Sequence, residues 1–374
     1  MWRAERLTTP KILFALTLLF LLGPALATSA ASVSEDALKK EDALKKEARL
    51  ALIRKAQIWT PTQVSAMDLR AGPPGPDALP PGETVSCTYI ETKLSGSSRK
   101  FDCAISKSDV VKVRYGASNG EVIGSVLASR LLWALGFGAD RVYPVRVMCQ
   151  GCSSDPWTKR KTVPRASTFY PAAIERSPEG HEIKDEQNPG WAWSELNLID
   201  EAQGGASRAE RDALTLLAIF IQHTDSKPEQ ERLICLPGGM AADGVCEKPF
   251  MVLHDVGLTF GHGNFWNRTV TGSVNFDLWS KTPIWRNAAA CVGHLSKSKT
   301  GTLGDPTISE AGRLFLSDLL IQLTDQQLHD LFEVARVDSR SRKPNTSEPA
   351  ASVDEWVKAF KHKRDDIAAT RCPA

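Results

Sequence analysis

The sequence predicts an α+β protein, and two observations carry that prediction. Between residues 84 and 174, short runs alternate apolar and polar side chains with a period of two, broken by one helical stretch after the third run. From residue 207 onward, apolar residues recur at helical spacing behind capping signals. A small antiparallel sheet with one helix should therefore precede a larger, mainly helical part.

The chain has 374 residues and a formal net charge of +2. Arg3, Arg6 and Lys11 precede an apolar run from Ile12 to Leu22, followed by Gly23-Pro24 and Ala25-Leu-Ala27. A basic start, a short apolar core and a small-residue A-x-A site describe a signal peptide over residues 1–27. An uncleaved anchor is the rival reading, but the run falls short of the roughly 20 residues a membrane span needs. Removing residues 1–27 takes away the whole net charge of +2, because Glu5 offsets one of three basic residues. The remainder is near neutral, which argues against nucleic acid or an anionic membrane as partner. The expected location is secreted, periplasmic or in the secretory-pathway lumen.

Residues 28–83 are expected to form a spacer and linker. Glu-Asp-Ala-Leu-Lys-Lys occurs twice between 35 and 46, a strong helix former with carboxylates one turn before lysines. A solvated helical spacer and a partner-binding coiled coil both fit it. Pro74, Pro76, Pro80 and Pro81, interleaved with glycines, read as a stiff linker. The folded domain is expected to begin near Thr84, with one part over 84–185 and a second over 186–374.

Strands are expected at Thr84–Lys93, Lys100–Ile105 and Val110–Tyr115, with Ser95-Gly-Ser-Ser98 as the first turn. A helix follows from Gly120 to Leu135, its Val122, Ile123, Val126, Leu127 and Leu131 at helical spacing and Gly136 as its stop. Strands at Val142–Met148 and Ser167–Ile174 complete the set. Ser207-Arg-Ala-Glu210 is a capping box opening a helix to about Gln222. A hairpin, Arg232–Leu236 with Phe250–His254, comes next. Further helices begin at Ser309, Thr324 and Ser352.

All eight cysteines lie beyond residue 27. Local spacing favours Cys87 with Cys103, Cys149 with Cys152 and Cys235 with Cys246, leaving Cys291 and Cys372. Cys149-Gln-Gly-Cys152 also has zinc-ligand spacing, with no second such motif to complete a site.

The chemistry is concentrated in His223-Thr-Asp-Ser-Lys-Pro-Glu-Gln230 and in Asp255-Val-Gly257. The first resembles the catalytic loop H-R-D-L-K-P-E-N of protein kinases at five of eight positions, and the second resembles D-F-G. Together with Lys112 and Glu121, the set is ordered as in the protein kinase-like superfamily across residues 84 to 280. No A-P-E follows, so the chain resembles atypical branches: HipA-type, phosphoinositide-kinase-like and secreted casein-kinase-like enzymes. The resemblance implies a bilobal fold and transfer of the ATP γ-phosphate to a hydroxyl of a protein or small-molecule acceptor, with Mg2+ or Mn2+. It implies Asp225 as the residue orienting the acceptor hydroxyl and Lys227 as the cation beside the transferred phosphoryl group. Asp255 and Gln230 would be metal ligands. Lys112 would contact the phosphates and pair with Glu121, for which Glu195 is an alternative, and Ser95, Gly96, Ser97 and Ser98 would cover the phosphates. Gln230 departs from the family's asparagine by one methylene, which leaves a nucleotide-binding pseudokinase open. A metal hydrolase using His223, His254, His262 or His294 with Asp225 and Asp255 is a further alternative, though no H-E-x-x-H supports it.

Overall fold

Strands predominate between residues 84 and 176 and helices beyond residue 207, and apolar residues from both stretches share one buried core. The computed structural model describes residues 35–94, 96, 98–117, 119–158, 166–183, 189–261, 274–295, 301–339 and 347–373. Residues 1–27, expected to be a signal peptide, and Ser95, Ser97 and His262 lie outside the described residues.

The chain divides into Met1–Lys46 and Glu47–Ala374. The described part of the first unit is the start of helix α1 (Glu35–Lys55), where Glu41 and Lys45 pair one turn apart at 2.7 Å. The second unit begins well before Thr84, and here the expectation of a linker over 28–83 is corrected. Ile53, Ala56, Ile58, Val64 and Leu69 are buried in its main core. Once the Lys-rich repeat ends, the same helix carries an apolar stripe that needs a partner.

Five strands form a closed barrel in the order β1-β2-β3-β5-β4: β1 (Thr84–Ile90), β2 (Lys100–Ser106), β3 (Asp109–Tyr115), β4 (Arg141–Gln150) and β5 (Ala166–Arg176). All pairs are antiparallel except β1 with β4. Alternation sends Val111, Val113 and Tyr115 of β3 into the barrel with Phe101, Val145, Val147 and Phe169. It therefore sends Lys112 and Arg114 to the outer face. Disulfides Cys87–Cys103 and Cys149–Cys152 lie in the barrel core. The second of these uses the thiols that a zinc site would need.

Helix α2 (Glu121–Ala134) follows β3, and Asn119 Oδ1 accepts from the Glu121 N–H at its start. Helix α3 (Arg208–Ile221) opens on the expected capping box, with Ser207 Oγ accepting from Glu210 N. Its last residues are buried, and Gln222 closes it with φ 56°. A three-stranded sheet, β6 (His181–Glu182), β7 (Glu231–Cys235) and β8 (Pro249–Leu253), comes next, closed at the far end by Cys235–Cys246. Then come α4 (Phe276–Lys281), the pair β9 (Trp285–Asn287) and β10 (Val292–Gly293), α5 (Glu310–Leu320), α6 (Asp325–Val334) and α7 (Val353–Ala369). Cys291–Cys372 ties the chain end beyond α7 back to the loop between β9 and β10. Trp191, Trp193, Trp279, Trp285 and Trp356 are all core residues, and Trp279 stacks on Trp356 at 5.2 Å. Among the described residues no helix is long and apolar enough to cross a membrane.

Candidate functional site

The loop after α3 is held in place by main-chain bonds from two later segments. His223 N donates to Ala218 O, Thr224 N to Leu258 O, and Phe260 N returns to Ile221 O. Thr302 N donates to Ser226 O, and Ser226 Oγ accepts from the N–H groups of Thr302 and Leu303. Asp225 is 8% exposed, so its carboxylate is presented by a fixed loop. Its Oδ2 accepts from Gln230 Nε2 at 3.1 Å, and its Oδ1 lies 3.5 Å from Lys227 Nζ.

Gln230 connects this loop to Asp255. Its main-chain carbonyl accepts from the N–H groups of both His254 and Asp255, at 2.9 and 3.2 Å. The reason is the hairpin: Glu231 pairs with Leu253, so the residues flanking that pair must also meet. Sequence spacing alone left that meeting to inference.

Asp255 then reaches the barrel. Its Oδ1 accepts from Gly257 N at 3.3 Å and lies 2.9 Å from Arg114 Nη2. Arg114 is fully buried and also pairs with Glu121 through Nη1 and with Glu175 Oε2 through Nε at 2.9 Å. One guanidinium thus ties together β3, α2, β5 and the Asp255 loop, using the planar fork that lysine lacks. Lys112 is not the partner of Glu121. It pairs with Glu175, the residue directly across the β3–β5 ladder. Glu195 is also elsewhere, bound to Arg49. The physical reason is reach: Lys112 and Arg114 share a face, but Arg114 is the one nearer the start of α2. Their alternation with Val111, Val113 and Tyr115 made both visible in sequence, while nothing local identified Glu175.

Glycine at 257 has a packing reason. A Cβ there would lie 3.0 Å from Glu121 Cβ and Cγ, and one on Gly124 would lie 2.5 Å from Gly257 O. The Asp255 loop and the first turn of α2 touch through two glycines. Of the turn between β1 and β2, Gly96 and Ser98 are described. Ser98 Oγ accepts from Arg114 Nη1 at 3.2 Å.

Electrostatics follow from this crowding. Burial opposes ionisation of Asp255, yet Arg114, Lys112 and Lys100 hold its carboxyl far below the usual range. Glu175 is likewise held down to about 2 against burial, mainly by Arg114 and Lys112. Burial pushes the Glu121 carboxyl up, against the pull of Arg114. Burial works against the Lys112 ammonium, but Glu175 prevails and its pKa is raised.

Two buried carboxylate–histidine pairs stand behind the loops. His254 Nδ1 is 2.7 Å from Asp140 Oδ2, and burial raises Asp140 to about 6. His223 Nε2 is 3.4 Å from Glu231 Oε1, which also accepts from Trp193 Nε1 at 3.0 Å. The described histidines therefore point to separate partners and do not converge as a hydrolase metal site would require. Asp140, Glu175 and His254 bring ligand atoms within 4.8 Å of one another. Each already has a charged partner: Asp140 with His254, and Glu175 with Lys112 and Arg114.

A cleft of about 460 Å³ opens beside this cluster, bounded by Lys112, Glu175, His254, Ser177 and Val111. Its size suits a small ligand, while its walls are more charged than the apolar slots such ligands usually occupy. For a divalent metal, the donors expected from sequence would be Asp255 and Gln230. Asp255 makes both of its bonds through Oδ1, and Gln230 donates through its amide nitrogen, leaving its carbonyl oxygen outside that bond. Carboxylate and amide oxygens suit magnesium or manganese.

No family model matches the chain, and no curated protein matches it. Among solved structures it is similar to the Helicobacter pylori proinflammatory kinase CtkA, with a TM-score of 0.41 and 7% identity over 78% of this chain and 95% of that one. A likeness of that order carries no residue roles across.

Proposed function

We propose that this chain is an exported, nucleotide-dependent phosphotransferase with a bilobal, protein kinase-like organisation, its small lobe over residues 84–185 and its large lobe over 186–374. One observation supports the reading above the rest. Asp225 and Gln230 of one loop, with Asp255, Arg114 and Glu121 of three further segments, form one chain of contacts. That chain links an acceptor-orienting carboxylate, a metal-ligand pair and a cation fixed by a helix glutamate, in the roles phosphoryl transfer needs.

In this reading Asp225 takes the proton of the acceptor hydroxyl as the oxygen–phosphorus bond forms and the bond to the nucleoside diphosphate breaks. Lys227, next to it, offsets charge on the group in transit. Asp255 and Gln230 would hold magnesium or manganese, which supplies charge neutralisation at the phosphates. The β3 cation that pairs with the helix glutamate is Arg114, not Lys112. The four disulfides agree with export, since such bonds persist in oxidising compartments.

The test is nucleotide binding and γ-phosphate transfer by the disulfide-intact chain, with ATP, magnesium or manganese and a panel of hydroxyl acceptors. Asp225→Ala should abolish turnover and keep binding. No transfer and no thermal shift with nucleotide would sink the catalytic and the binding reading together. A second reading, a nucleotide-binding pseudokinase, is favoured by the engagement of Asp255 with Arg114 and of Asp225 with the Gln230 amide. Binding without transfer to any acceptor would select it.

A further inference from the structure

Four of the eight cysteines meet inside the barrel, and two different disulfides touch there. Cys87 lies on β1, Cys103 on β2 and Cys149 on β4, and the three sulfurs fall within 4.8 Å of one another. Cys103 Sγ is 3.7 Å from Cys149 Sγ, although each is bonded elsewhere, to Cys87 and to Cys152. All four residues are buried.

Disulfides in contact can be exchanged for one another, since a thiolate attacks any disulfide sulfur within its reach. Strand register decides which new bond can close. Cys87 and Cys149 stand directly opposite in the parallel β1–β4 ladder, so their Cα atoms are about 4.8 Å apart, the spacing of neighbouring strands. That falls inside the range of roughly 4.4–6.8 Å that a disulfide needs. Cys103 and Cys149 are two strands apart, with β1 between them. A regular five-stranded ring sets such positions about 8 Å apart, outside the range.

Access sets the order of events. Cys152 lies past the end of β4, beside Gly151 with φ 74°, whereas the other three sit within strands. A loop opens more readily than a laddered strand, so a reductant meets the Cys152 sulfur first.

We infer that the barrel is a redox relay, which answers a small dithiol reductant by moving a cross-link. The reagent's thiolate attacks Cys152 Sγ and the Cys149–Cys152 bond breaks, leaving a mixed disulfide and the Cys149 thiolate. After turning about its side-chain bonds, that thiolate attacks Cys87 Sγ. A Cys87–Cys149 bond forms, and Cys103 leaves as the thiolate. The reagent's second thiol then closes on its own sulfur and releases Cys152. Two electrons pass from the dithiol, its two protons end on Cys103 and Cys152, and the barrel holds one disulfide in place of two. The staple thereby moves from the β1–β2 hairpin to the parallel seam that closes the barrel. The turn of that hairpin carries Ser98, which accepts from Arg114, so reduction loosens the turn beside the Asp255 site. None of this depends on the phosphotransfer reading.

Limited reduction of the disulfide-intact chain with dithiothreitol, without denaturant, tests the relay. The reaction is stopped by unfolding in acid with excess N-ethylmaleimide. The species that has gained two labels is then mapped by mass spectrometry of unreduced peptides. The labels should sit on Cys103 and Cys152, with Cys87 joined to Cys149. Labels on Cys149 and Cys152 with Cys87–Cys103 intact would show that no exchange occurs, and any other labelled pair overturns the relay equally.

A variant reaches the same intermediate without a reductant. Cys152→Ser, kept oxidised, leaves Cys149 unpaired, and its free thiol should be found on Cys103 in most molecules. A free thiol that stays on Cys149 would overturn the inference. Should this variant not fold, the wild-type map decides alone. Hydrogen exchange at the β1–β2 turn should rise in the relayed species, and unchanged exchange there would refute its link to the site.

Discussion

Replacing Arg114 by methionine removes the one group that joins four elements, and its cost can be worked from the contacts. The guanidinium is fully buried and faces Glu121, Glu175 and Asp255. Methionine keeps much of the volume, so the loss is electrostatic. Glu175 retains Lys112, while Glu121 and Asp255 lose their ion-pair partner. Removing one side of a buried ion pair costs about 3–5 kcal/mol. For a unit of this size that lowers the melting temperature on the order of 10 °C.

The pH dependence is the sharper part of the prediction. In wild type the depressed Glu175 and Asp255 contribute stability that is present above their unfolded pKa values and lost as pH falls. In Arg114→Met, burial without the arginine raises Glu121 and Asp255, so the variant gains stability as pH falls and they take up protons. The gap between the two proteins should therefore be several kcal/mol at pH 8 and shrink towards pH 5. Urea unfolding followed by tryptophan fluorescence, disulfides intact, measures both curves. A gap under about 1 kcal/mol at pH 8, or one that does not change with pH, would refute the view of Arg114 as the electrostatic hub.

Three further outcomes are expected. Glu231 is fully buried and raised to about 7 by burial, against the pull of His223 and Trp193, so its contribution is full below pH 4.5 and lost as pH rises through 7. Glu231→Gln should flatten that slope and stabilise the protein at pH 8 by up to about 3 kcal/mol; urea midpoints that keep their slope would contradict it. Gly124→Ala puts a methyl 2.5 Å from Gly257 O and should push α2 off the Asp255 loop. A cost of about 1–3 kcal/mol with weakened nucleotide binding is expected, checked by thermal shift and titration. Replacing Cys291 and Cys372 by serine opens a loop with a sequence separation of 81 and should cost about 4–5 kcal/mol in urea unfolding. A midpoint within error of wild type would show that α7 packing alone holds the chain end.

Much of the fold could be read from local pattern. The order of five strands around one helix, the capping boxes at Ser207, Thr324 and Ser352 and the four cysteine pairs all follow from period, capping chemistry and spacing, which are properties of neighbours in the chain. The start of the folded unit was misjudged because the Lys-rich repeat and the proline stretch mask a short apolar stripe at Leu52–Ile58. In the site, Asp225, Gln230 and Asp255 lie close along the chain, on either side of one hairpin, so spacing suggested their meeting and strand register fixed it.

The cation of the site was not legible, because it depends on strand register. Period-two alternation put Lys112 and Arg114 on one face and could go no further. The β3–β5 ladder set Glu175 opposite Lys112, and the β2–β3 ladder set Lys100 opposite Arg114. The sequence by itself determined which residues bring charge to the barrel's outer face. Only the tertiary structure decided which carboxylate pairs with which cation, since ion pairing depends on distances that register and helix docking fix.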